Sequence, residues 1–277
     1  MAVGRRPDGR VAVTSPVRYR AVVAYVGTRF HGWQTQKNAP RTVQSVLAAA
    51  LRPLSREAVR VEGASRTDAG VHADGQVAHF DLPRRREPRA VRDGANDRLP
   101  DDVRVLSVEE AAPDFHARFD AAWKEYVYRW SRAAVIAPRD APFVAPLSPR
   151  GDAARMREAA AALPGRRDFR VFAVGTPAGE SAVRTLTSVA IEEDGGELRA
   201  VLRGDGFLRG MARSICGVLA DASRGRVPID RIARLLESGD RRLLSSKAFA
   251  CGLTLRRVVY EPDRPPEGRP AALHSSP

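Results

Sequence analysis

Apolar and polar residues alternate over several short segments of the chain, a pattern typical of strands with one buried face. Residues 18–26 (RYRAVVAYV) predict a first strand that is rich in β-branched and aromatic side chains. Within residues 75–82 (GQVAHFDL), Ala78, Phe80 and Leu82 share one face of another predicted strand. Further strands are predicted over residues 58–63, 102–111, 121–133, 183–194, 197–206 and 252–260, with a hairpin turn at Gly195 and Gly196.

Other segments repeat apolar residues every three to four positions, which is the spacing of one helix face. Thr42 and Asp152 each stand just before such a segment and are predicted to begin a helix. Residues 89–100 and 207–224 predict two more helices. The apolar positions are Val43, Val46, Leu47 and Leu51 after Thr42, Met156, Ala159, Ala160 and Leu163 after Asp152, and Leu208, Met211, Ile215 and Leu219 in the last helix.

Both halves of the chain follow the order strand, helix, strand, strand, helix, strand. This order predicts an α+β fold of two related α/β-sandwich halves, ferredoxin-like or RRM-like, with mainly antiparallel sheets and a cleft between them. No internal sequence repeat is visible, so the duplication rests on element order. The predicted divisions are a disordered leader (1–17), an N-terminal α+β domain (18–110), a C-terminal α+β domain (111–262) and a disordered tail (263–277).

The charge of the chain adds a candidate partner. The 277 residues carry a net charge of +13, and arginine supplies all but three of the 46 basic residues. Such an excess favours binding to phosphate backbones, with general solubility as the alternative. No apolar run approaches the roughly 20 residues that span a bilayer, and no signal peptide is visible, which predicts a cytoplasmic protein.

Motifs for metals and nucleotide cofactors are missing from the sequence. Cys216 and Cys251 do not form a C-x-x-C pair and are interpreted as core thiols. His72 and Asp74 lack the cysteine pair that a zinc deaminase would need, and there is no phosphate-binding glycine loop. The sequence therefore predicts no metal and no cofactor.

A single aspartate stands out in the segment SRTDAGVH, residues 65–72. Asp68 precedes Gly70 by two residues, and its carboxylate could simply bond the backbone of a turn. Alternatively, a loop between two core strands could hold the carboxylate rigidly, while Arg66 and other arginines keep it ionised and aimed. An ionised carboxylate in a partly dry cleft can act as a nucleophile or as a base.

Two further segments suggest contacts with a ligand. Alternation in WKEYVYRW places Lys124, Tyr126, Tyr128 and Trp130 on one strand face, which suits stacking on an unpaired base or an ordinary half-buried face. On a helical wheel, Arg213 lies opposite the apolar face and beside Gly206, Gly210 and Gly217. That face either admits another backbone or a ligand, or is exposed to solvent.

Together these segments resemble the tRNA pseudouridine synthase A family over roughly residues 18–262. The resemblance is carried by YVGTRFHGWQTQ, RTVQSVL, SRTDAGVHADGQVAHF, NDRLP, FHARFDAAWKEYVYRW, DFRVF, GFLRGMARSICG and GLTL. It implies an isomerase that converts uridine to pseudouridine at positions 38–40 of the tRNA anticodon stem-loop. It also implies an RNA-binding homodimer that needs no cofactor.

The same resemblance implies roles for individual residues. Asp68 would be the catalytic residue, and Tyr126, Arg66, Arg213 and Leu253 would bind the substrate. Arg213 would pair with the aspartate, and Arg66 would help to displace the target base.

Two positions depart from the family pattern, and two other functions compete with it. Ser65 stands where the family usually has glycine, and SSKAFACGL replaces an alanine- and proline-containing approach to Gly-Leu. The first rival is an RNA-binding protein without catalysis, which would be expected to lack Asp68 or Tyr126. The second is a metal-dependent nuclease, for which SRTDAGVHADG offers only Asp68 and Asp74 as carboxylates.

Overall fold

One ten-stranded sheet runs through the computed structural model, which describes residues 15–39, 41–176, 179–228, 230–244 and 246–260. The strands in chain order are β1 (Val17–Tyr25), β2 (Val61–Gly63), β3 (His72–Leu82), β4 (Val103–Glu110), β5 (Trp123–Ser131), β6 (Ala145–Pro146), β7 (Gly165–Asp168), β8 (Val183–Asp194), β9 (Glu197–Gly204) and β10 (Leu253–Val259). Their order across the sheet is β4-β1-β3-β10-β5-β9-β8-β7, with β2 paired to β3 and β6 to β5. All pairs are antiparallel except β3–β10 and β5–β6. The predicted α+β class is confirmed.

Five α-helices accompany the sheet in the described ranges: α1 (Val43–Ser55), α2 (Pro88–Asn96), α3 (Ala153–Ala161), α4 (Met211–Ser223) and α5 (Asp230–Ser238). Thr42 begins α1 as predicted, because its hydroxyl accepts the amide of Ser45 while the Ser45 hydroxyl accepts the amide of Thr42. Asp152 begins α3 by accepting the amides of Ala154 and Arg155. Within the described part of the chain, no helix has the length and apolar character needed to cross a membrane.

Both faces of β3 are buried, whereas the sequence predicted one. Phe80 stacks on Tyr19 of β1 with ring centroids 5.8 Å apart, and Ala78 and Leu82 are buried beside it. On the opposite face, Val77 packs in a second cluster with Ala64 and Ala117, and His79 is also buried. The connection between β4 and β5, which alternation alone does not reveal, supplies part of this cover.

Several predicted boundaries move in the structure. The strand predicted over 58–63 is limited to β2, and β3 begins three residues earlier than expected. The helix predicted over 207–224 begins at Met211, because Gly210 adopts a left-handed φ of 74° that a helix interior excludes. Leu163 is buried but lies beyond the end of α3. Strands β6 and β7 and helix α5 were not predicted.

Strand β10 joins the N-terminal strands to the rest of the sheet. It pairs in parallel with β3 at Thr254–His72 and antiparallel with β5 at Leu253–Tyr128. The loop that precedes β3 is therefore held beside β5 and α4, and residues from distant parts of the chain meet there. Of the predicted leader, residue 17 belongs to β1 and residues 1–14 lie outside the described residues, as does the tail 263–277.

Candidate active site

Asp68 lies in the loop between β2 and β3, and backbone hydrogen bonds fix this loop. The amide of Trp33 donates to the Thr67 carbonyl over 3.1 Å, and the amide of Val71 donates to the Asp68 carbonyl over 3.1 Å. Gly70 closes the turn with φ of 80°, a conformation that favours glycine. The turn thus uses the backbone carbonyl of Asp68, and the carboxylate remains available for another partner.

That partner is Arg213, as the resemblance implied. Its Nη1 donates to Oδ2 of Asp68 over 3.1 Å, and the two side chains are 18% and 21% exposed. The other side of the guanidinium is also fixed, because Nε donates to the Ala248 carbonyl over 2.9 Å. The Ala248 amide in turn donates to the Arg213 carbonyl. Arg213 therefore holds the Asp68 carboxylate in one place.

The Asp68–Arg213 pair faces a pocket of about 320 Å³, including the space open to solvent. Residues from both halves of the chain surround it, including the Asp68 loop, β5, the first turn of α4 and the start of β10. The lining residues are Ser65, Arg66, Thr67, Asp68, Val71, Tyr126, Phe207, Leu208, Gly210, Met211, Ala212, Arg213 and Leu253. All five residues singled out from the sequence, Asp68, Tyr126, Arg66, Arg213 and Leu253, thus border one cavity.

Tyr126 forms an inner wall of the pocket and is almost completely buried. Its hydroxyl lies 2.8 Å from Oγ of Ser65, and its ring meets Phe207 edge-on with centroids 4.9 Å apart. Burial raises the pKa of Tyr126 to about 12, against the hydrogen bond from Ser65, which lowers it. The phenol is therefore protonated at neutral pH.

A buried polar network supports the Asp68 loop from beneath. The side chain of Gln76 holds both backbone groups of Ser65, accepting its amide over 3.2 Å and donating to its carbonyl over 2.7 Å. Two residues along, the Thr67 hydroxyl bonds the Tyr25 hydroxyl over 2.9 Å. Every polar group in this network has a partner, which favours one rigid loop conformation.

The other strand-face residues predicted beside Tyr126 do not border the pocket. Lys124 is buried and donates to the Ala64 carbonyl over 2.7 Å, while Tyr128 and Trp130 pack against each other in the core. The interpretation of this whole face as a stacking surface is wrong. The interpretation in which the Arg213 face of α4 is exposed to solvent is also wrong, since the helix is buried from Met211 to Ala220 apart from Arg213.

Arg66 borders the pocket on its outer side, and Arg118 lines a neighbouring cavity that Arg66 also borders. Arg66 is exposed, and neither Arg66 nor Arg118 has a carboxylate within ion-pair distance in the described ranges. Burial lowers the pKa of Arg118, and repulsion from Arg66 and Arg184 lowers it further, against the attraction of Glu180 and Glu62. Unpaired like charges at close range are costly unless an anion joins them, so this rim suits phosphate groups.

A group of possible metal ligands, Glu62, His79 and His116, has donor atoms within 4.8 Å of one another. The backbone amide of Ala117 donates to Nδ1 of His79, and the amide of Arg118 donates to Nδ1 of His116. A neutral imidazole that accepts at Nδ1 carries its proton on Nε2, and Nε2 of His116 lies 3.1 Å from Glu62. His116 therefore donates to Glu62 and offers no lone pair there to a metal.

Among the pocket residues that the sequence did not single out as site residues, Phe207 and Ser65 contact Tyr126. Phe207 packs against the Tyr126 ring. The sequence feature that could have indicated this role is the position of Phe207 in GFLRGM, the segment that leads to Arg213. Ser65 departs from the pattern of the family that the sequence resembles, and 61 residues separate it from Tyr126, so local sequence does not reveal their contact.

Comparisons with known proteins identify the family of this chain. A family model described as tRNA pseudouridine synthase matches residues 21–120 and 159–261. A tRNA pseudouridine synthase A of Streptococcus mutans is 37% identical over 247 residues, covering 88% of this chain and 99% of that protein. One from Azorhizobium caulinodans is 41% identical over 246 residues, covering 88% and 94%.

A solved Cbf5-Nop10-Gar1 complex matches with 12% identity and a TM-score of 0.32, covering 94% of this chain and 55% of that one. This value is too low to support an argument about the fold. The family model and the curated relatives are decisive, and the chain belongs to the tRNA pseudouridine synthase family, whose members are isomerases that act on tRNA.

Proposed function

We propose that this protein isomerises uridine to pseudouridine in the anticodon stem-loop of tRNA, at positions 38–40, with Asp68 as the catalytic nucleophile or base. The observation that carries the proposal is the Asp68–Arg213 pair inside a pocket walled by Tyr126. A carboxylate that is fixed by a guanidinium and partly shielded from water is suited to attack carbon or to take a proton.

The reaction balances without a redox partner. The bond from ribose C1′ to uracil N1 breaks, the base turns, and a bond forms between C1′ and C5. C5 loses a proton and N1 gains one, so product and substrate have the same composition. Asp68 could attack the sugar, attack the base, or remove a ribose proton to give a glycal, and each route uses the same anion. No cofactor is required by this balance.

The pocket walls suit an unpaired uracil. Tyr126 and Leu253 present apolar surface from β5 and β10, and Phe207 braces the tyrosine ring. A base must leave its stack to enter, at a cost of a few kcal/mol. Arg66, exposed at the rim, is positioned to occupy the vacated space, and Arg118 and Arg184 are available to phosphates.

The same strand order in both halves supports a fold built from two related units. In the N-terminal part the order is β4-β1-β3-β2, and in the C-terminal part it is β10-β5-β9-β8. Numbered along the chain within each half, these four strands lie in the same order, 4-1-3-2. Helices α1 and α2 connect strands of the N-terminal set, and α3 and α4 connect strands of the C-terminal set. We propose a ferredoxin-like duplication on this ground. A homodimer in the cytoplasm remains a proposal that rests on the family resemblance.

Replacement of Asp68 by asparagine tests the function directly. The amide is nearly isosteric but cannot serve as the anion, so Asp68→Asn should lower the single-turnover rate by a factor on the order of 10⁴. Folding and tRNA binding should be close to normal. Asp74→Asn is the matched control, because Asp74 is an exposed aspartate of the same segment.

Pseudouridine mapping of a tRNA transcript treated with each protein gives the readout. Normal modification by Asp68→Asn would exclude Asp68 as the catalytic group. Absence of pseudouridine after treatment with the wild-type protein would refute the proposed synthase function. If the wild-type protein also failed to bind tRNA, the alternative of an RNA-binding protein without catalysis would be refuted as well.

A further inference from the structure

A second pocket lies beside the first and shares Arg66 with it. It has a volume of about 520 Å³, including the space open to solvent, and its other lining residues include Gln34, Glu62, His116, Arg118 and Phe119. Because one arginine side chain borders both cavities, a chain of nucleotides that places its uridine beside Asp68 can reach the second pocket with a neighbouring residue.

The walls of this pocket are held rigidly. Oε1 of Gln44 accepts the side-chain amide of Gln34 over 3.0 Å and the amide of Thr35 over 2.7 Å, while its Nε2 donates to the Val61 carbonyl. On the other side, Nδ1 of His116 accepts the amide of Arg118 over 3.1 Å. The hydrogen bonds thus organise both sides before any ligand arrives.

Phe119 is unusual in this polar setting. Its side chain is 51% exposed, although its ring also contacts His116 with centroids 4.3 Å apart. The guanidinium of Arg118 lies 5.6 Å from the ring centroid and has no carboxylate partner among the residues described. An exposed aromatic ring beside an unpaired arginine has the chemistry that stacks a nucleobase and binds its phosphate.

We infer that this second pocket binds an unpaired base next to the target uridine, with Phe119 as the stacking platform and Arg118 on the adjoining phosphate. The inference rests on the proposed function for the nature of the RNA. In Gln34, the side-chain carbonyl has no partner among the described residues, and it can accept a hydrogen bond from the edge of that base.

Equilibrium binding of a synthetic anticodon-arm RNA tests the inference. Phe119→Leu keeps apolar bulk but removes the ring, and should weaken binding about tenfold. Phe119→Tyr should bind within about twofold of wild type, as a stacking role requires. Leu106→Ala is the matched control, since Leu106 on β4 is also 51% exposed and lies in neither pocket.

A second readout reports stacking itself. The arm carries its target uridine at the stem-loop junction and 2-aminopurine at the adjacent loop position. The fluorescence of the 2-aminopurine should be quenched when the arm binds to wild type or to Phe119→Tyr, but not when it binds to Phe119→Leu. Equal affinity and equal quenching in Phe119→Leu and wild type would overturn the inference. Neither readout requires turnover, so the inference about the second pocket is tested separately from the proposed function. The proposed function fails if the wild-type protein makes no pseudouridine.

Discussion

The hydroxyl of Tyr126 lies 2.8 Å from Oγ of Ser65, and both groups are buried. Ser65 is itself fixed by Gln76, which bonds its amide and its carbonyl. The residue just before the arginine of the Asp68 loop thus orients the phenol in the pocket. Glycine at this position could not make this contact.

Ser65 should therefore act as a positioning residue through the Tyr126 hydroxyl. Ser65→Ala should slow single turnover about tenfold, equivalent to loss of one hydrogen bond of about 1.4 kcal/mol, with little change in tRNA affinity. The effect should disappear when Ser65→Ala is added to Tyr126→Phe, which lacks the hydroxyl. Rates of the two single variants and the double variant check this. Additive losses would mean that Ser65 acts elsewhere.

Arg213 should be required as an arginine and not only as a positive charge. Arg213→Gln should lower the single-turnover rate about 10²-fold, since the carboxylate loses its fixed charged donor. Lysine cannot bond the Ala248 carbonyl and Asp68 with one planar group, so Arg213→Lys should recover only part of the rate. Rate measurements at saturating tRNA make the comparison, and full activity of Arg213→Lys would contradict it.

A methyl group at Gly217 should destabilise the protein and disturb Arg213. A Cβ there would lie 2.1 Å from the Ser246 carbonyl oxygen, so the segment leading to Ala248 would have to move. Gly217→Ala should cost about 3 kcal/mol of unfolding free energy. The matched control is Gly94→Ala in α2, where the new atom meets only the end of the Leu54 side chain. Denaturant unfolding measures both, and equal stability of the two variants would be the contrary result.

His79 should make the protein less stable in mild acid. Burial, with added repulsion from His116 and Arg18, lowers the pKa of His79 to about 4. An unfolded histidine titrates near 6.5, so between these values the unfolded chain binds more protons, and stability falls as the pH drops from about 6.5 to 4.

His79→Gln keeps an acceptor for the Ala117 amide but cannot titrate. On going from pH 7 to pH 4, it should lose on the order of 2 kcal/mol less unfolding free energy than wild type. Denaturant unfolding over this range provides the test. Parallel stability curves for the two proteins would exclude His79 as a source of the acid sensitivity.

Local pattern predicted much of the fold, and long-range contacts account for what it missed. Thr42 and Asp152 marked helix starts because capping depends only on neighbouring residues. The role of Gly210 in delaying α4 depends on its φ, which helical periodicity does not encode. The family resemblance placed Asp68 and Arg213 together, although 145 residues separate them.

The burial of Lys124 and the contact between Ser65 and Tyr126 could not be predicted in the same way. Alternation assigns residues to a strand face but does not say whether that face meets solvent, a pocket or the core. Lys124 and Tyr126 share a face, yet one donates to a backbone carbonyl in the interior and the other borders the cavity. The packing of the Asp68 loop over β5 decides between these outcomes.

The position of β10 between β3 and β5 bears on how the enzyme is made. Synthesis proceeds from the N-terminus, and β10 follows the nine other strands in the chain. While the ribosome is still adding the preceding residues, the start of β3 has no partner along the edge that β10 will occupy. Leu253 is missing from the pocket during the same interval. A nascent chain therefore cannot complete the pocket around Asp68 until β10 has emerged from the ribosome.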